Sequence, residues 1–275
     1  MNNPPRNKPD FEGKVAIVTG AGSRADGIGN GRAAAILLAE AGCNVVLVDM
    51  NIEWAKVTEK MIEEDGKGKG ISVQADVTIA EDCQRIVNTA VEKWGRVDIL
   101  INNVGITGAT GTVVDVDIEE WERSMRVNVT SMVLMSKYSI PVMLKNPGEV
   151  KGSIVNMSSV AGLRGGTPHA LYPTSKGAIV NLTRAMAANH GPQGIRVNCV
   201  CPGMAYTPMM YADGMSEETR IQRKNRSILR TEGNGWDIGA AVKFLASGEA
   251  RWLTGVILPV DAGATCTTGQ VKSDW

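Results

Sequence analysis

The sequence predicts one α/β domain built on a doubly wound, seven-stranded parallel sheet with helices on both faces. Three observations predict this class. Short runs rich in β-branched residues alternate with helix-length segments, which is the pattern of repeated strand–helix–strand units. The strand-like runs are apolar at successive positions, as expected when helices cover both faces of a sheet. No Pro/Gly/Ser-rich linker and no fixed repeat divides the chain.

Seven apolar runs account for the strands, and the segments between them account for the helices. We expect a single domain over residues 12–264, with a flexible N-terminal tail at 1–11 and a C-terminal tail at 265–275. Right-handed crossovers should join the parallel strands. The predicted strands cover residues 15–19, 44–49, 71–75, 97–101, 153–156, 196–200 and 256–260.

The composition of the chain indicates which kinds of molecule the protein is not expected to bind. Lysine plus arginine and aspartate plus glutamate number 29 each, so no surplus of positive charge exists to neutralise a nucleic-acid backbone. The N-terminus lacks the basic and apolar parts of a secretory signal, and no apolar run approaches the roughly 18 residues of a spanning helix. The five cysteines are scattered without metal-ligand spacing. We therefore expect a cytoplasmic protein with reduced thiols and with no nucleic acid, membrane or metal partner.

A glycine-rich loop joins the first predicted strand to the first helix. It runs from Gly20 to Gly29, and a helical run follows it. Glycines allow tight turns and close approach of backbone N–H groups to a pyrophosphate, which a helix N-terminus also attracts. The loop could also be no more than a tight turn. As a cofactor loop it contributes Gly20, Ser23, Arg24, Gly27, Ile28 and Gly29.

Asp49 supports the interpretation as a dinucleotide site. It ends the second predicted strand, twenty positions after Gly29, where a carboxylate can accept hydrogen bonds from the ribose hydroxyls of NAD. The same charge would repel the 2′-phosphate of NADP. Arg24 complicates the choice because a basic loop residue could meet an adenosine phosphate, but after Asp49 the next basic residue is Lys56. We therefore predict NAD, with NADP as the less favoured cofactor.

A tyrosine and a lysine stand four residues apart in Tyr172-Pro-Thr-Ser-Lys176. That spacing places both side chains on one face of a helix. Pro173 fits only a first helical turn, so Tyr172 should lie at the helix start. The lysine charge and the helix N-terminus should both lower the pKa of the phenol towards the value that a general acid/base needs. The alternative is an ordinary amphipathic surface pair.

Polar residues also follow the predicted strands at the carboxyl edge of the sheet. The fifth strand runs into Ser159, thirteen residues before Tyr172, and the fourth runs into Asn103. A hydroxyl at this edge can hold a substrate oxygen for protonation. Each strand end alone could be a routine turn, but together they predict a site. Residues 206–235, which follow the sixth strand at the same edge, are expected to form a substrate lid.

These motifs together resemble those of the short-chain dehydrogenase/reductase family over about residues 12–263. The resemblance extends well beyond the glycine loop and the tyrosine–lysine pair, and the order and spacing of its motifs are specific to that family. The further matching motifs are Asp76-Val77, Asn102-Asn103-Val104-Gly105, Asn128, Ser159, Pro202-Gly203 with Thr207, and Asp261-Ala262-Gly263.

The resemblance implies a Rossmann-type fold and a role for each matching residue. Tyr172 would be the general acid/base, Lys176 would bind the nicotinamide ribose and lower the tyrosine pKa, and Ser159 would orient the substrate oxygen. Asn128 would hold a proton-relay water, and Asp76 would meet the adenine amino group. The cofactor groove would also be lined by Met50, Val77, Asn103, Val104, Gly105, Pro202, Gly203, Ala205 and Thr207.

The chain departs from the family pattern at three places. Six residues separate Gly20 from Gly27 where the family usually has three, so residues 24–26 are interpreted as an insertion that alters the phosphate loop. Val104 replaces the usual alanine of Asn-Asn-Ala-Gly, and Ala262 replaces the first glycine of Asp-Gly-Gly. The last two changes are mild.

Three functions compete on the sequence alone. We expect an NAD-dependent oxidoreductase that moves a hydride between nicotinamide and a secondary alcohol or ketone carbon, because all four catalytic positions of the family are filled. The alternative is a cofactor-binding protein with a regulatory or non-redox role, such as an isomerase or cyclase. A hydrolase using Ser159 would lack the Gly-x-Ser-x-Gly motif. The resemblance also implies a homotetramer or homodimer.

Overall fold

The computed structural model describes residues 7–65 and 67–267. The strands are β1 (Val15–Thr19), β2 (Asn44–Asp49), β3 (Gly70–Gln74), β4 (Ile99–Asn102), β5 (Gly152–Met157), β6 (Ile195–Pro202) and β7 (Ile257–Val260). They form one sheet in the order β3-β2-β1-β4-β5-β6-β7, and every neighbouring pair is parallel. The doubly wound, seven-stranded sheet predicted from the sequence is confirmed.

Helices cover both faces of this sheet. They are α1 (Asn30–Glu40), α2 (Ile52–Asp65), α3 (Ala80–Trp94), α4 (Ile118–Met125), α5 (Ser131–Met143), α6 (Leu171–His190), α7 (Pro208–Tyr211), α8 (Glu217–Lys224) and α9 (Gly235–Ala246). Residues of α1, α2 and α9 pack on one face, whereas α3, α5 and α6 pack on the other. None of the helices in the described residues has the length and apolar character needed to cross a membrane.

The central strand β1 shows why the strand sequences are largely apolar on both faces. Ala16 and Val18 join the core on the side of α1 and α9. Val15 and Ile17 join the core on the side of α3, α5 and α6. Successive side chains of a strand point to opposite faces, so a strand that is covered on both sides favours apolar residues at successive positions.

The strand order reverses at β1, which has β2 on one side and β4 on the other. The register pairs Val18 of β1 with Leu47 of β2 and with Ile101 of β4. Loops that leave the carboxyl ends of β1 and β4 diverge and create a crevice, which is the usual ligand site in open α/β sheets. The glycine loop follows β1, and the segment that begins at Asn103 follows β4.

The domain begins earlier than the residue 12 expected from the sequence. Phe11 is 3% exposed and packs in the core shared by α1 and α9. The Gly248 N–H donates to the Pro9 carbonyl at 3.0 Å, so the segment before Phe11 is also attached to the domain. Residues 1–6 and 268–275 of the predicted tails lie outside the described residues.

The predicted lid, residues 206–235, is a loop whose two ends meet. The Tyr206 N–H donates to the Gly233 carbonyl at 2.7 Å. Between these ends the lid contains the short helices α7 and α8. A capping box of Asn234 and Asp237 then starts α9.

Candidate active site

The loop after β1 turns so tightly that neither Gly20 in the loop nor Gly31 at the start of α1 has room for a side chain. Gly20 has a φ of 64°, and a Cβ there would lie 2.9 Å from Nδ2 of Asn103. A Cβ on Gly31 would lie 2.1 Å from the Gly20 carbonyl oxygen. The Asn103 amide donates to the carbonyls of Thr19 and Gly20 at 3.1 Å each. Asn103 therefore ties together the two loops that border the crevice.

Asp49 ends β2 beside this loop, as its spacing predicted. Its two carboxylate oxygens accept hydrogen bonds from the Gly22 and Asn51 N–H groups, both at 3.0 Å. Burial raises the pKa of Asp49, and these backbone hydrogen bonds oppose the rise. Each oxygen keeps a lone pair for a further donor such as a ribose hydroxyl. Trp54 and Asp49 pack against the same side of Gly22, where a Cβ would lie 2.6 Å from the Trp54 Cβ and 2.7 Å from the Asp49 Oδ2.

Residues 24–26, interpreted from the sequence as an insertion, contact residues 206–235, the predicted lid. The guanidinium of Arg24 pairs with the carboxylate of Asp213. The hydroxyl of Tyr211 donates to the Asp26 carbonyl at 2.8 Å. The structure thus gives Arg24 a partner in residues 206–235, the predicted lid.

A buried arginine supports the insertion from below. Arg32 is 3% exposed, and its guanidinium donates to the Gly27 carbonyl at 2.6 Å and to the Thr58 hydroxyl at 3.0 Å. Burial lowers the pKa of Arg32, and the charges of Asp26 and Asp49 oppose that shift. Sequence reasoning missed this residue because it lies in an otherwise apolar helical run. The signal that could have found Arg32 was its charge, because it lies on the face of α1 that is buried.

The remaining predicted cofactor residues differ in what they can offer a ligand. Ser23 donates its hydroxyl to the Ala25 carbonyl at 2.8 Å and so shapes the loop. The Val77 side chain is buried in the core, which leaves only its backbone for a cofactor. The Asp76 carboxylate accepts from the Thr78 N–H at 2.8 Å. The others lie at the same edge of the sheet: Ile28 and Gly29 before α1, Met50 after β2, Val104 and Gly105 after β4, and Pro202, Gly203, Ala205 and Thr207 at or after the end of β6.

Tyr172, Lys176 and Ser159 meet beyond the carboxyl end of β5. Tyr172 is the second residue of α6 and precedes Lys176 by one turn, as Pro173 predicted. A side-chain interaction with Ser159 acts to lower the pKa of Tyr172, and the Ser159 hydroxyl itself accepts from the Ala161 N–H at 3.1 Å. The buried ammonium of Lys176 lies 5.7 Å from the centre of the Tyr172 ring and donates to the Met157 carbonyl at 3.1 Å. The two elements thus bring together a phenol, a hydroxyl and a cation.

The pKa of Tyr172 shifts in the direction opposite to the expectation from the sequence. Burial raises this pKa, and the side-chain interaction with Ser159 opposes only part of the rise. Burial also lowers the pKa of Lys176 to about 8. The expectation that the lysine and the helix N-terminus would produce a net lowering is wrong for this structure, because the phenol itself is withdrawn from water.

Asn128 lies in a five-residue π-helical turn, Arg126–Thr130, between α4 and α5. Its buried amide donates to the Ile106 carbonyl at 2.9 Å and to the Ser175 hydroxyl at 3.0 Å. Its side-chain oxygen accepts from the Ile106 N–H at 2.8 Å. Asn128 therefore links the loop after β4 to α6, and its side chain can meet a relay water only through its oxygen. Sequence patterns did not reveal the π-helical turn, a feature that is frequent at functional sites.

Two further contacts that sequence reasoning did not single out hold Lys176 in place. The Ser158 hydroxyl donates to the Lys176 carbonyl at 2.7 Å. Gly162 packs against the same residue, and a Cβ there would lie 2.4 Å from the Lys176 carbonyl carbon. On the other side, a Cβ on Gly105 would lie 3.0 Å from the Lys176 Nζ. Small residues thus let the backbone approach the lysine closely.

The residues around the crevice fit a nicotinamide dinucleotide. The glycine loop has no room for side chains at Gly20 or Gly22, so only backbone borders the crevice there. Asp49 has lone pairs for ribose hydroxyls near the loop. The Lys176 ammonium has three N–H donors, of which the Met157 carbonyl takes one in the described part of the chain. The donor and acceptor sets needed for the two ends of a dinucleotide are therefore present.

Comparisons with known proteins agree with this geometry. A family model described as enoyl-(acyl carrier protein) reductase matches residues 23–265. The chain is 39% identical over 263 residues to the meso-2,3-butanediol dehydrogenase of Serratia marcescens, covering 95% of this chain and 98% of that one. It is 34% identical over 264 residues to glucose 1-dehydrogenase 2 of Bacillus subtilis, covering 96% and 99%.

A solved structure shows the same fold. A short-chain dehydrogenase/reductase from Burkholderia xenovorans matches with a TM-score of 0.87 at 36% identity, over 95% of this chain and 100% of that one. The fold and these relatives define an oxidoreductase. The chain belongs to the short-chain dehydrogenase/reductase family.

Proposed function

We propose that this chain is an NAD(H)-dependent oxidoreductase that transfers a hydride between nicotinamide and a secondary alcohol or ketone carbon. The observation that carries the proposal is the meeting of Tyr172, Ser159 and Lys176 at the edge of the sheet where the glycine loop also lies. Relatives named as butanediol and glucose dehydrogenases support an alcohol as substrate.

The proposed chemistry assigns the proton to Tyr172 and the orientation of the substrate to Ser159. The Ser159 hydroxyl donates to the substrate oxygen and holds it beside the phenol. In alcohol oxidation the Tyr172 phenolate takes the hydroxyl proton, and in ketone reduction the Tyr172 phenol protonates the carbonyl oxygen. When bound, the nicotinamide accepts or supplies the hydride.

Two further residues support the phenol in this proposal. The Lys176 ammonium favours the phenolate by its charge and donates to the hydroxyls of the nicotinamide ribose. The Asn128 oxygen holds a water through which the proton reaches solvent. The positions of both side chains are fixed by buried hydrogen bonds, to Met157 for the lysine and to Ile106 and Ser175 for the asparagine.

The preference for NAD over NADP rests on charge at the adenosine end of the site. Asp49 lies beside Gly22, where its carboxylate suits ribose hydroxyls and repels a 2′-phosphate. Arg24, the one loop cation that could offset this repulsion, pairs with Asp213 in the lid. These two observations together favour NAD.

The test is a spectrophotometric assay of NADH formation with a panel of secondary alcohols, including vicinal diols and cyclic alcohols. We expect turnover with at least one of them, and a kcat/KM that is at least about tenfold higher with NAD than with NADP because of like-charge repulsion. Tight NAD binding without turnover of any substrate would instead favour the regulatory or non-redox alternative. A preference for NADP would contradict the role given to Asp49.

A further inference from the structure

We propose that the inserted part of the cofactor loop and the lid form a clasp that holds the lid against the cofactor site and limits the rate at which the dinucleotide leaves. The clasp consists of Arg24 and Asp26 in the loop and of Tyr211 and Asp213 in the lid. This inference rests on the proposed function, because it takes the glycine loop as the cofactor site.

Polar contacts join the inserted part of the glycine loop to the lid. The Arg24 guanidinium pairs with the Asp213 carboxylate and lies 3.5 Å from the Met209 carbonyl oxygen. The Tyr211 hydroxyl donates to the Asp26 carbonyl at 2.8 Å. The partners of this last contact are 185 positions apart in the chain, so the contacts join separate parts of the fold. All three contacts involve residues 24–26, which lengthen the loop.

Close packing accompanies these polar contacts at both ends of the lid. A Cβ on Gly27 would lie 2.1 Å from the Tyr211 hydroxyl oxygen and 3.6 Å from the Pro208 side chain. At the other end, a Cβ on Gly235 would lie 2.4 Å from the Ile28 carbonyl oxygen. The lid therefore touches the glycine loop where it leaves β6 and again where it enters α9.

Each side of the clasp has its own support. Arg32 holds the loop from below through the Gly27 carbonyl. In the lid, the rings of Tyr206 and Tyr211 lie 4.7 Å apart, and the Arg220 guanidinium lies 4.1 Å above Tyr206. Arg220 also makes two hydrogen bonds of 2.6 Å to the Glu232 carboxylate. Because these contacts lie within the lid, the lid can move as one unit when the clasp opens.

The clasp contacts are exposed, which suits an interaction that opens in every catalytic cycle. The side chains of Arg24 and Asp213 are 40% and 84% exposed, so salt screens their attraction. The hydrogen bond of Tyr211 to Asp26 is also exposed. Contacts of this kind slow an opening step by roughly 3- to 10-fold each. The clasp therefore delays release of the dinucleotide without preventing it.

The experiment uses the double variant Tyr211→Phe/Asp213→Asn. Tyr211→Phe removes the hydroxyl and keeps the ring on Tyr206, and Asp213→Asn removes the charge. Tyr138→Phe and Glu218→Gln are the matched controls, since they remove one phenol hydroxyl and one lid carboxylate outside the clasp. Three quantities are measured on the full chain: hydrogen–deuterium exchange of the lid without added cofactor, the rate of NADH release by stopped-flow displacement, and the single-turnover rate of hydride transfer.

We expect amide exchange over residues 206–216 and the rate of NADH release each to rise by about tenfold in the double variant, with the single-turnover rate unchanged. Added salt should raise NADH release in the wild type and have little effect on the variant. Lid exchange equal to that of the controls would overturn the clasp. Faster lid exchange with unchanged NADH release would overturn its role in release. If the wild type bound no dinucleotide, the proposed function would fail, and lid exchange would still decide whether the clasp exists.

Discussion

Folding buries Lys176 and partly buries Tyr172, and burial moves their pKa values in opposite directions. The pKa of the phenol rises, and that of the ammonium falls to about 8. At neutral pH the phenol is therefore protonated and the lysine charged. A protonated phenol can give a proton to a ketone oxygen, whereas oxidation of an alcohol needs the phenolate. The two directions of the reaction should respond differently to pH.

We predict that kcat/KM for alcohol oxidation rises with pH between about 6 and 8, by up to about tenfold per pH unit, while ketone reduction does not rise. The raised pKa of Tyr172 makes the phenolate the minor form in this range, so its fraction grows with pH. Initial rates in both directions across this range provide the check.

A pair of lysine variants makes this pH prediction specific. Lys176→Met should move the rise in oxidation to higher pH, because the phenolate loses its nearby cation. Lys137→Met is the matched control, since the Lys137 ammonium lies at the same 5.7 Å from the ring of Tyr138, outside the proposed site. An oxidation profile that is flat in the wild type, or that shifts equally in both variants, would contradict the assignment.

Among the elements, β6 and α9 are joined by a buried arginine. Arg196 of β6 is 6% exposed and donates to the carbonyls of Leu245, Ala246 and Ser247 at 2.9 to 3.3 Å, and to the Ser153 hydroxyl at 3.1 Å. The last carbonyls of a helix lack partners within the helix, and a cation there is favourable. Burial lowers the pKa of Arg196 to about 10.

Arg196→Met should therefore lower the free energy of unfolding by about 2–4 kcal/mol, because several buried carbonyls lose their donor at once. Urea denaturation measures this change. Arg123→Met is the control: its guanidinium is 65% exposed and pairs with Glu120 on the same helix, so its effect should stay within about 0.5 kcal/mol. Equal denaturation midpoints for the Arg196 variant and the wild type would contradict this role.

The strands were predictable from sequence because the inner ones are covered on both faces, which favours largely apolar runs. Their ends were less predictable. β6 continues through Pro202, two residues beyond the predicted end, because this last residue pairs with Val260 at the end of the sheet and the N–H of Gly203 makes the next hydrogen bond. A proline at a strand end removes no bond that the strand needs. The π-helical turn at Asn128 had no sequence signal at all.

At the scale of the whole molecule, residues were predictable when they follow a strand end. Asp49 lies where its spacing placed it, since parallel strands bring their carboxyl ends to one edge. The Tyr172/Lys176 pair was predictable on another ground, the spacing of four residues that aligns two side chains on one helix face. The contacts of Arg24 and Tyr211 were not predictable. They join segments about 185 positions apart, and no local period encodes which lid residue meets the inserted loop.

The direction of the Tyr172 pKa shift also depends on the whole fold. The local sequence shows a lysine and a helix start near the phenol, and both favour the phenolate. The burial that outweighs them comes from neighbouring elements that a local pattern does not contain. Charge near a group can thus be read from sequence more easily than its desolvation.

The central claim is that Tyr172 moves the proton during hydride transfer, and Tyr172→Phe tests it most directly. The rate at which the enzyme forms NADH while oxidising an alcohol should fall by about 10²- to 10⁴-fold, which is the usual contribution of a general acid/base. NADH affinity, measured by fluorescence, should change by less than about twofold, since only one hydroxyl is removed. Tyr138→Phe should keep wild-type turnover. A folded Tyr172→Phe enzyme that retains turnover within about tenfold of the wild type would contradict the account.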